Sequence, residues 1–209
     1  MEIKKNKITV VLGIDTDLNI EEENLEKDFL QGIKLNDYIK NKFNNLSEEK
    51  IKEAYKICLL NDKDLDKPLN VLSSNEIEKV ELMIKLLENR EVIILSDFEI
   101  NFLNKELNYF KSLFKKMVTK YNKTIVLITN KLDKIMDLVD IILVVENKKV
   151  ILELSSSDIY SDRIYENNID TPDIIEFVKM VRRKNIKMED YTDVKELIKA
   201  IFRSVSWDI

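Results

Sequence analysis

The sequence predicts an α/β fold, a mostly parallel sheet covered by helices, from three observations. Four short runs are apolar at almost every position: residues 8–12, 92–95, 124–128 and 141–145. Such runs suit strands buried on both faces, the condition of a parallel sheet between helices. The stretches separating the last three runs carry apolar residues at helical spacing, and a strand–helix–strand rhythm implies right-handed crossovers. Finally, 44% hydrophobic and 35% charged residues in a 209-residue chain supply both a core and a solvated surface. A disordered chain is excluded.

Taken in order, residues 8–12 form the first strand. Residues 33–89 contain no convincing strand. Ser47 caps a helix bearing Ile51, Ala54, Tyr55 and Cys58, Pro68 breaks the chain, and a further helix covers residues 75–88. After the second strand, Leu107, Phe110, Leu113, Phe114 and Met117 place a helix over 105–121. Leu132, Ile135, Met136 and Val139 mark a shorter helix before the fourth strand. Asn147-Lys148-Lys149 turns the chain into a hairpin over 150–152 at the sheet edge. Thr171-Pro172 then supplies an N-cap and a proline at the first helical position. Ile174, Phe177, Val178 and Val181 line that helix, and residues 194–202 form the last one.

Composition removes several classes of chemistry. There is no histidine, so Ser-His-Asp triads, imidazole-ligated zinc and imidazole acid–base catalysis are excluded. Cys58 is the single cysteine; it forms no internal disulfide, builds no thiolate cluster and suits a reducing compartment. No metal site is expected. The net charge is −5 and no Lys/Arg block stands free of interleaved acids, which argues against a nucleic-acid partner. No apolar run approaches the ~20 residues that span a bilayer, so the chain is read as cytoplasmic. The two glycines, Gly13 and Gly32, leave little for a loop that cradles phosphates.

Four motifs nevertheless occur in a telling order. Leu72-Ser73-Ser74-Asn75-Glu76 opens a helix, and a strand ending in Asp97-Phe98 follows. Asn101-Phe102-Leu103-Asn104 comes next, and the third strand leads to Asn130. This order and spacing resemble the ATP-binding-cassette (ABC) ATPases, with their LSGGQ signature, hhhhDE Walker B strand, D-loop and switch histidine. The flanks narrow the resemblance. Residues 25–32 look like the TVEKDIAFG stretch of energy-coupling-factor (ECF) transporter ATPases, and residues 148–154, Ser157-Asp158 and Thr171-Pro172-Asp173 look like their C-terminal extension.

The resemblance implies a truncated RecA-like ABC ATPase core with a helical subdomain and a C-terminal helical extension. Residues 1–32 would hold a remnant Walker A strand and an acidic segment. The helical subdomain with its signature-like helix would span 33–90, and the second half of the core 91–154. Residues 155–209 would form the extension, a dimerisation region in the family. By the same resemblance, most of the antiparallel β-subdomain and the Q-loop are missing. A rival register sets residues 8–12 on the strand before the Q-loop; the Walker A register is preferred because the core needs a central strand there.

The departures from the family pattern bear on function. Gly13 keeps the first Walker A glycine, but Thr16 and Leu18 stand where the next glycines belong. Asn19 replaces the phosphate-binding lysine and Ile20 the Mg²⁺-binding hydroxyl. Asp15, Asp17, Glu21, Glu22 and Glu23 would repel a polyphosphate. Asp97 matches the aspartate that holds Mg²⁺ through water, or is a strand-end acid capping a helix. Phe98 stands at the position of the catalytic glutamate and can neither accept a proton nor orient water. Glu99 beside it should point to the other side of the chain if the strand continues. Asn130 replaces the switch histidine. Ser73-Ser74-Asn75-Glu76 reads as an S-x-x-E capping box or as a residual phosphate grip across a dimer.

No catalytic residue and no cofactor are therefore expected in the chain's own pocket; ATP and Mg²⁺ would be touched only across a dimer interface. The first expectation is a pseudo-ATPase partnering an intact ABC ATPase and an integral membrane transporter component, peripheral on the inner face of the membrane through that partner. A homodimer is a variant of it. The second is a soluble interaction or regulatory module with no nucleotide dependence. The third is a weak ATPase using Asp97 and Glu99. Residues 15–28 form a solvated acidic face or meet a basic segment of a partner. Arg182-Arg183-Lys184 is expected as an exposed helix end, and Trp207 to pack on the last helix or in an interface.

Overall fold

The computed structural model describes residues 3–13, 32–161, 163 and 170–205. Asn19, the residues around it and Trp207 lie outside the described residues, as does all of the 25–32 stretch except Gly32. The described strands are β1 (Ile8–Gly13), β2 (Val92–Ser96), β3 (Thr124–Ile128), β4 (Ile141–Glu146) and β5 (Lys149–Ser155). They form one sheet in the order β2-β3-β1-β4-β5, parallel except for the final hairpin. The α/β architecture expected from the apolar runs is the one observed.

β1 occupies the centre of the sheet. All six of its residues are buried, which the Val/Ile-rich composition of a two-face-covered strand anticipates. Asp140 accepts a hydrogen bond from the Ile8 N–H at 2.9 Å. β5 alternates exposed and inward residues, with Leu152 and Leu154 packed inside, as an edge strand should. Asn147 and Lys148 both have positive φ, 50° and 62°, the backbone of a tight hairpin turn matched to strand twist.

Seven α-helices are described. The first three are short: α1 (Leu35–Lys42), α2 (Glu48–Ile57) and α3 (Asp62–Leu65). α4 (Ser74–Leu87) precedes β2, and α5 (Asn104–Tyr121) crosses from β2 to β3. α6 (Asp173–Arg183) and α7 (Val194–Val205) follow the sheet. One large core joins a sheet face to α1–α6 and part of α7; a smaller one, Val11, Val126, Ile141, Leu143 and Val145, lies on the other face. Cys58 is buried in the large core, and burial pushes its thiol pKa up. At the free side of β2 the Lys85 ammonium donates to the Ile94 carbonyl at 2.7 Å.

Three local expectations are corrected. Residues 132–139 form turns and one 3-10 segment, Met136–Leu138, instead of a helix. Leu132, Ile135, Met136, Leu138 and Val139 are all buried, so packing on several sides fixes this short connection. Pro172 takes the cap position of α6, not its first turn, and Asp133 accepts from the Asp173 N–H at 3.1 Å. Arg182 is no free helix end: its Nε and Nη2 donate to the Met188 carbonyl at 2.9 and 2.7 Å, and Nη2 also reaches Asp190 at 2.6 Å. Its guanidinium lies 5.3 Å from the Tyr160 ring centroid, and the Tyr160 hydroxyl is exchanged with the Tyr191 backbone.

Candidate functional site

The carboxyl ends of β1, β2 and β3 gather at one pole because the three strands are parallel and adjacent. Open α/β sheets bind ligands there. Gly13 ends β1, Asp97 follows β2, and Thr129 and Asn130 follow β3. The structure brings Gly13 and Asn130 together: the Gly13 N–H donates to Asn130 Oδ1 at 3.2 Å. The Asp97 N–H donates to the Ile128 carbonyl at 2.8 Å, and the Thr129 N–H to the Val11 carbonyl at 3.1 Å. The residue at the switch position is thus bonded back onto the end of the central strand.

Asp97 has φ 50°, in the left-handed region, and its side chain makes no cap to the 3-10 segment Phe98–Asn101 that follows. The capping role weighed for it is not seen there; the carboxylate is exposed. Phe98 turns the opposite way and is only 2% exposed. Its ring centroid lies 4.5 Å from Phe102, 5.2 Å from Phe110 and 5.3 Å from Phe114. Four phenylalanines in tilted and edge-on contact make a rigid apolar plug, the arrangement that aromatic quadrupoles favour. α5 supplies two of them at i and i+4, and the 3-10 segment with the residue after it supplies the other two.

Glu99 is buried with its carboxylate accepting from the Thr129 hydroxyl. Burial pushes its pKa up, opposed by that hydrogen bond. Lys134 donates to the Glu99 carbonyl at 3.3 Å, and the Lys131 N–H to Thr129 Oγ1 at 3.0 Å. Thr129 is a hub that the sequence reading did not single out; a threonine ending an apolar strand carries no signal of a partner thirty residues away. β2 ends at Ser96 and a 3-10 segment, Phe98–Asn101, follows, so the strand alternation expected to separate Glu99 from Phe98 does not continue; both residues are buried.

The signature-like segment is committed to neighbours. Ser73 and Glu76 form a reciprocal capping box: the Glu76 N–H donates to Ser73 Oγ at 3.4 Å, and the Ser73 N–H and hydroxyl donate to Glu76 Oε2 at 2.8 and 2.9 Å. Burial works against the charged form of Glu76, but bonds from Lys67 and Ser73 outweigh it and hold its pKa at about 2. Leu72 is buried and Ser74 exposed.

Asn75 Nδ2 donates to the Asn101 carbonyl at 3.0 Å and to Glu106 at 3.2 Å. Asn101 Nδ2 donates back to Glu78 at 3.2 Å. Lys79, buried one turn below Asn75, pairs with Glu106 at 2.7 Å and lies 6.0 Å from the Phe102 centroid. One face of α4 is therefore bolted to the D-loop-like segment. Leu103 points outward, 79% exposed, and Asn104 opens α5. Burial and the Glu81 charge push Glu78 up to about 7, with a further contribution from Asp97.

Chemically, this region offers the exposed carboxylate of Asp97, the enclosed carboxylate of Glu99 and the internally bonded amides of Asn75, Asn101 and Asn130. Among the described residues no three acidic or thiol side chains converge as a metal cage would require. No helix among them is long and apolar enough to cross a membrane.

No family model matches the chain. Over 168 residues, 78% of its length, it is 23% identical to the energy-coupling factor transporter ATP-binding protein EcfA2 of Staphylococcus saprophyticus. The match spans 56% of that relative, so the chain covers little more than half its length. The fold superposes on a bacterial ABC transporter cassette solved as a dimer, with a TM-score of 0.60 at 16% identity over 75% of this chain and 88% of the other. It also superposes on CbiO1 from Clostridium perfringens, part of the ABC transporter complex CbiONQ. There the TM-score is 0.58 at 16% identity over 86% and 90% of the two chains. The chain therefore has the α/β fold of ABC transporter cassettes and is similar in sequence to an ATP-binding protein of energy-coupling-factor transporters.

Proposed function

We propose that the chain is a degenerate subunit of the ABC/ECF ATP-binding type, a pseudo-ATPase that serves an intact ABC ATPase and an integral membrane component as a structural or regulatory partner. The observation that carries this reading is Phe98. Where the resemblance implies the glutamate that polarises water, a phenyl ring is packed 4.5–5.3 Å from three others, with no polar atom to offer. The neighbouring Glu99 supports the same reading, because it is buried and held by Thr129. The described residues at this pole do not fit a Mg-nucleotide hydrolytic centre. The relative from Staphylococcus saprophyticus is a transporter ATP-binding protein, CbiO1 is part of a transporter complex, and one matched cassette is dimeric.

In this reading the protein sits in the cytoplasm and reaches the membrane through its partner. The extension would contribute to dimerisation with the partner ATPase or a second copy. Val194, Ile198 and Phe202 form an exposed apolar stripe one helical turn apart on α7, and Phe177 and Met180 are exposed on α6. Gentle affinity capture of the tagged protein from its own cell tests the proposal. Stoichiometric recovery of an intact ABC ATPase with an integral membrane protein supports it. Recovery alone, or with soluble proteins only, overturns it.

A second reading, a soluble interaction module with no nucleotide dependence, is favoured by one observation. The Ser73 hydroxyl and the Asn75 amide, which would have to meet a partner's phosphate, are both spent inside the chain. If the captured complex forms equally with and without Mg-ATP, and Ser73→Ala leaves it intact, this reading replaces the first.

A further inference from the structure

The segment between β2 and α5 divides its apolar residues between two sides. Phe98 and Phe102 are each 2% exposed and belong to the aromatic plug, whereas Ile100 and Leu103 are 46% and 79% exposed. The back of the segment is fixed, because Asn101 is bonded to Asn75 and Glu78 of α4. The outward pair therefore stands on a rigid support, which lowers the entropy lost in any contact it makes. Leu103 is doubly out of place. It lies in solvent, and it holds the N-cap of α5 without a side-chain cap, a position that serine, threonine, aspartate and asparagine favour. Neither the core nor the helix start gains from a leucine there, which directs attention to a contact outside the chain.

The charges at the two ends of the segment specify the partner. Asp97 and Lys105 are both exposed, and among the described residues neither the carboxylate nor the ammonium has an ion-pair partner. Asp97 also makes no cap within its own chain. Lys105 stands in the first turn of α5, where the helix dipole adds to its positive field. The order Asp97, Ile100, Leu103, Lys105 is self-complementary. Asp97 and Lys105 lie four residues to either side of Asn101, with Ile100 and Leu103 between them. A two-fold axis beside Asn101 thus sets Asp97 of each copy against Lys105 of the other, and Ile100 against Leu103, in both directions at once.

We propose that this face joins two copies of the chain in an isologous dimer that needs no nucleotide. Ile100 and Leu103 pack across the axis, and the two Asp97–Lys105 pairs flank them. A phosphate has no part in holding it, because the Ser73 hydroxyl and the Asn75 amide are bonded within the chain. The inference does not rest on the pseudo-ATPase reading: it is decided by the mass of the pure protein, that reading by what the tagged protein captures.

Sedimentation velocity of the full chain over a concentration series, with and without Mg-ATP, tests it. A reversible dimer is expected without nucleotide, weakened by salt, unchanged by Mg-ATP and retained in Phe202→Asp. Leu103→Asp should leave only monomer, with a Tm no lower than that of the wild-type chain, because aspartate is the better cap. Asp97→Lys or Lys105→Asp alone should weaken the dimer about tenfold, since an isologous contact contains each pair twice. The two together should restore it. The proposal is overturned by a monomer at every concentration, or by a dimer that requires Mg-ATP, survives Leu103→Asp or dissolves in Phe202→Asp. It also fails if the double charge exchange does not rescue the single ones. A Tm lowered by Leu103→Asp sinks it as well, because the leucine is then serving the fold of its own chain.

Discussion

Glu78 lies on the face of α4 that meets Asn101, with the charges of Glu81 and Asp97 nearby and Lys85 opposing them. Its pKa is raised from 4.5 to about 7, so between those values the folded state binds more protons than the unfolded one. Stability must then fall as pH rises through that window. The Tm of the wild-type chain should drop relative to Glu78→Gln between pH 4.5 and 7.5, and parallel curves would refute the assignment. Glu76 has the opposite sign: its pKa is held at about 2, so its contribution is present above 4.5 and fades as acid approaches 2. Phe98→Ala should cost about 3–5 kcal/mol in denaturant unfolding, the usual loss for a buried phenylalanine. Phe98→Glu should unfold the chain without creating ATPase activity, because it places a charge inside the aromatic plug. The sequence revealed that Phe98 lacks catalytic groups, but its inward packing depends on rings from α5 and needed the fold. Likewise, nothing local to Asn130 announced its bond to Gly13.

At the scale of elements, α4 and the segment after β2 behave as one unit. Asn75, Glu78 and Lys79 lie at i, i+3 and i+4 and share a face, and each bonds to a residue between 101 and 106. Asn75→Ala and Asn101→Ala should therefore be non-additive, with a coupling of about 1 kcal/mol or more in a double-mutant cycle. Additive effects would mean that the two segments are independent. The start of α4 was legible, since Ser73 and Glu76 at S-x-x-E spacing specify a capping box that the structure contains. The bolt to Asn101 was not, because asparagines near two helix starts have no pattern that links them. Residues 132–139 misled for a related reason. Helical spacing in an eight-residue connection cannot be told from apolar residues buried on every side.

For the whole molecule, the sheet was the most legible feature. Four apolar runs located four strands, and the central place of β1 followed from its need for cover on both faces. The extension is held through Arg182, Tyr160 and Tyr191 yet leaves Val194, Ile198 and the 72%-exposed Phe202 outside. If that stripe joins two chains, Phe202→Asp should shift light-scattering mass to the monomer without lowering the Tm of the monomer; an unchanged mass removes the stripe from any self-contact. One small contact has a larger consequence for solubility. β2 ends the described sheet, and an end strand offers backbone acceptors on which another chain can add. Lys85 covers the Ile94 carbonyl with an ammonium group, so an incoming strand must displace a charge before it can zip on. Lys85→Met removes that guard, and concentrated protein should then grow thioflavin-positive fibrils that the wild-type chain resists.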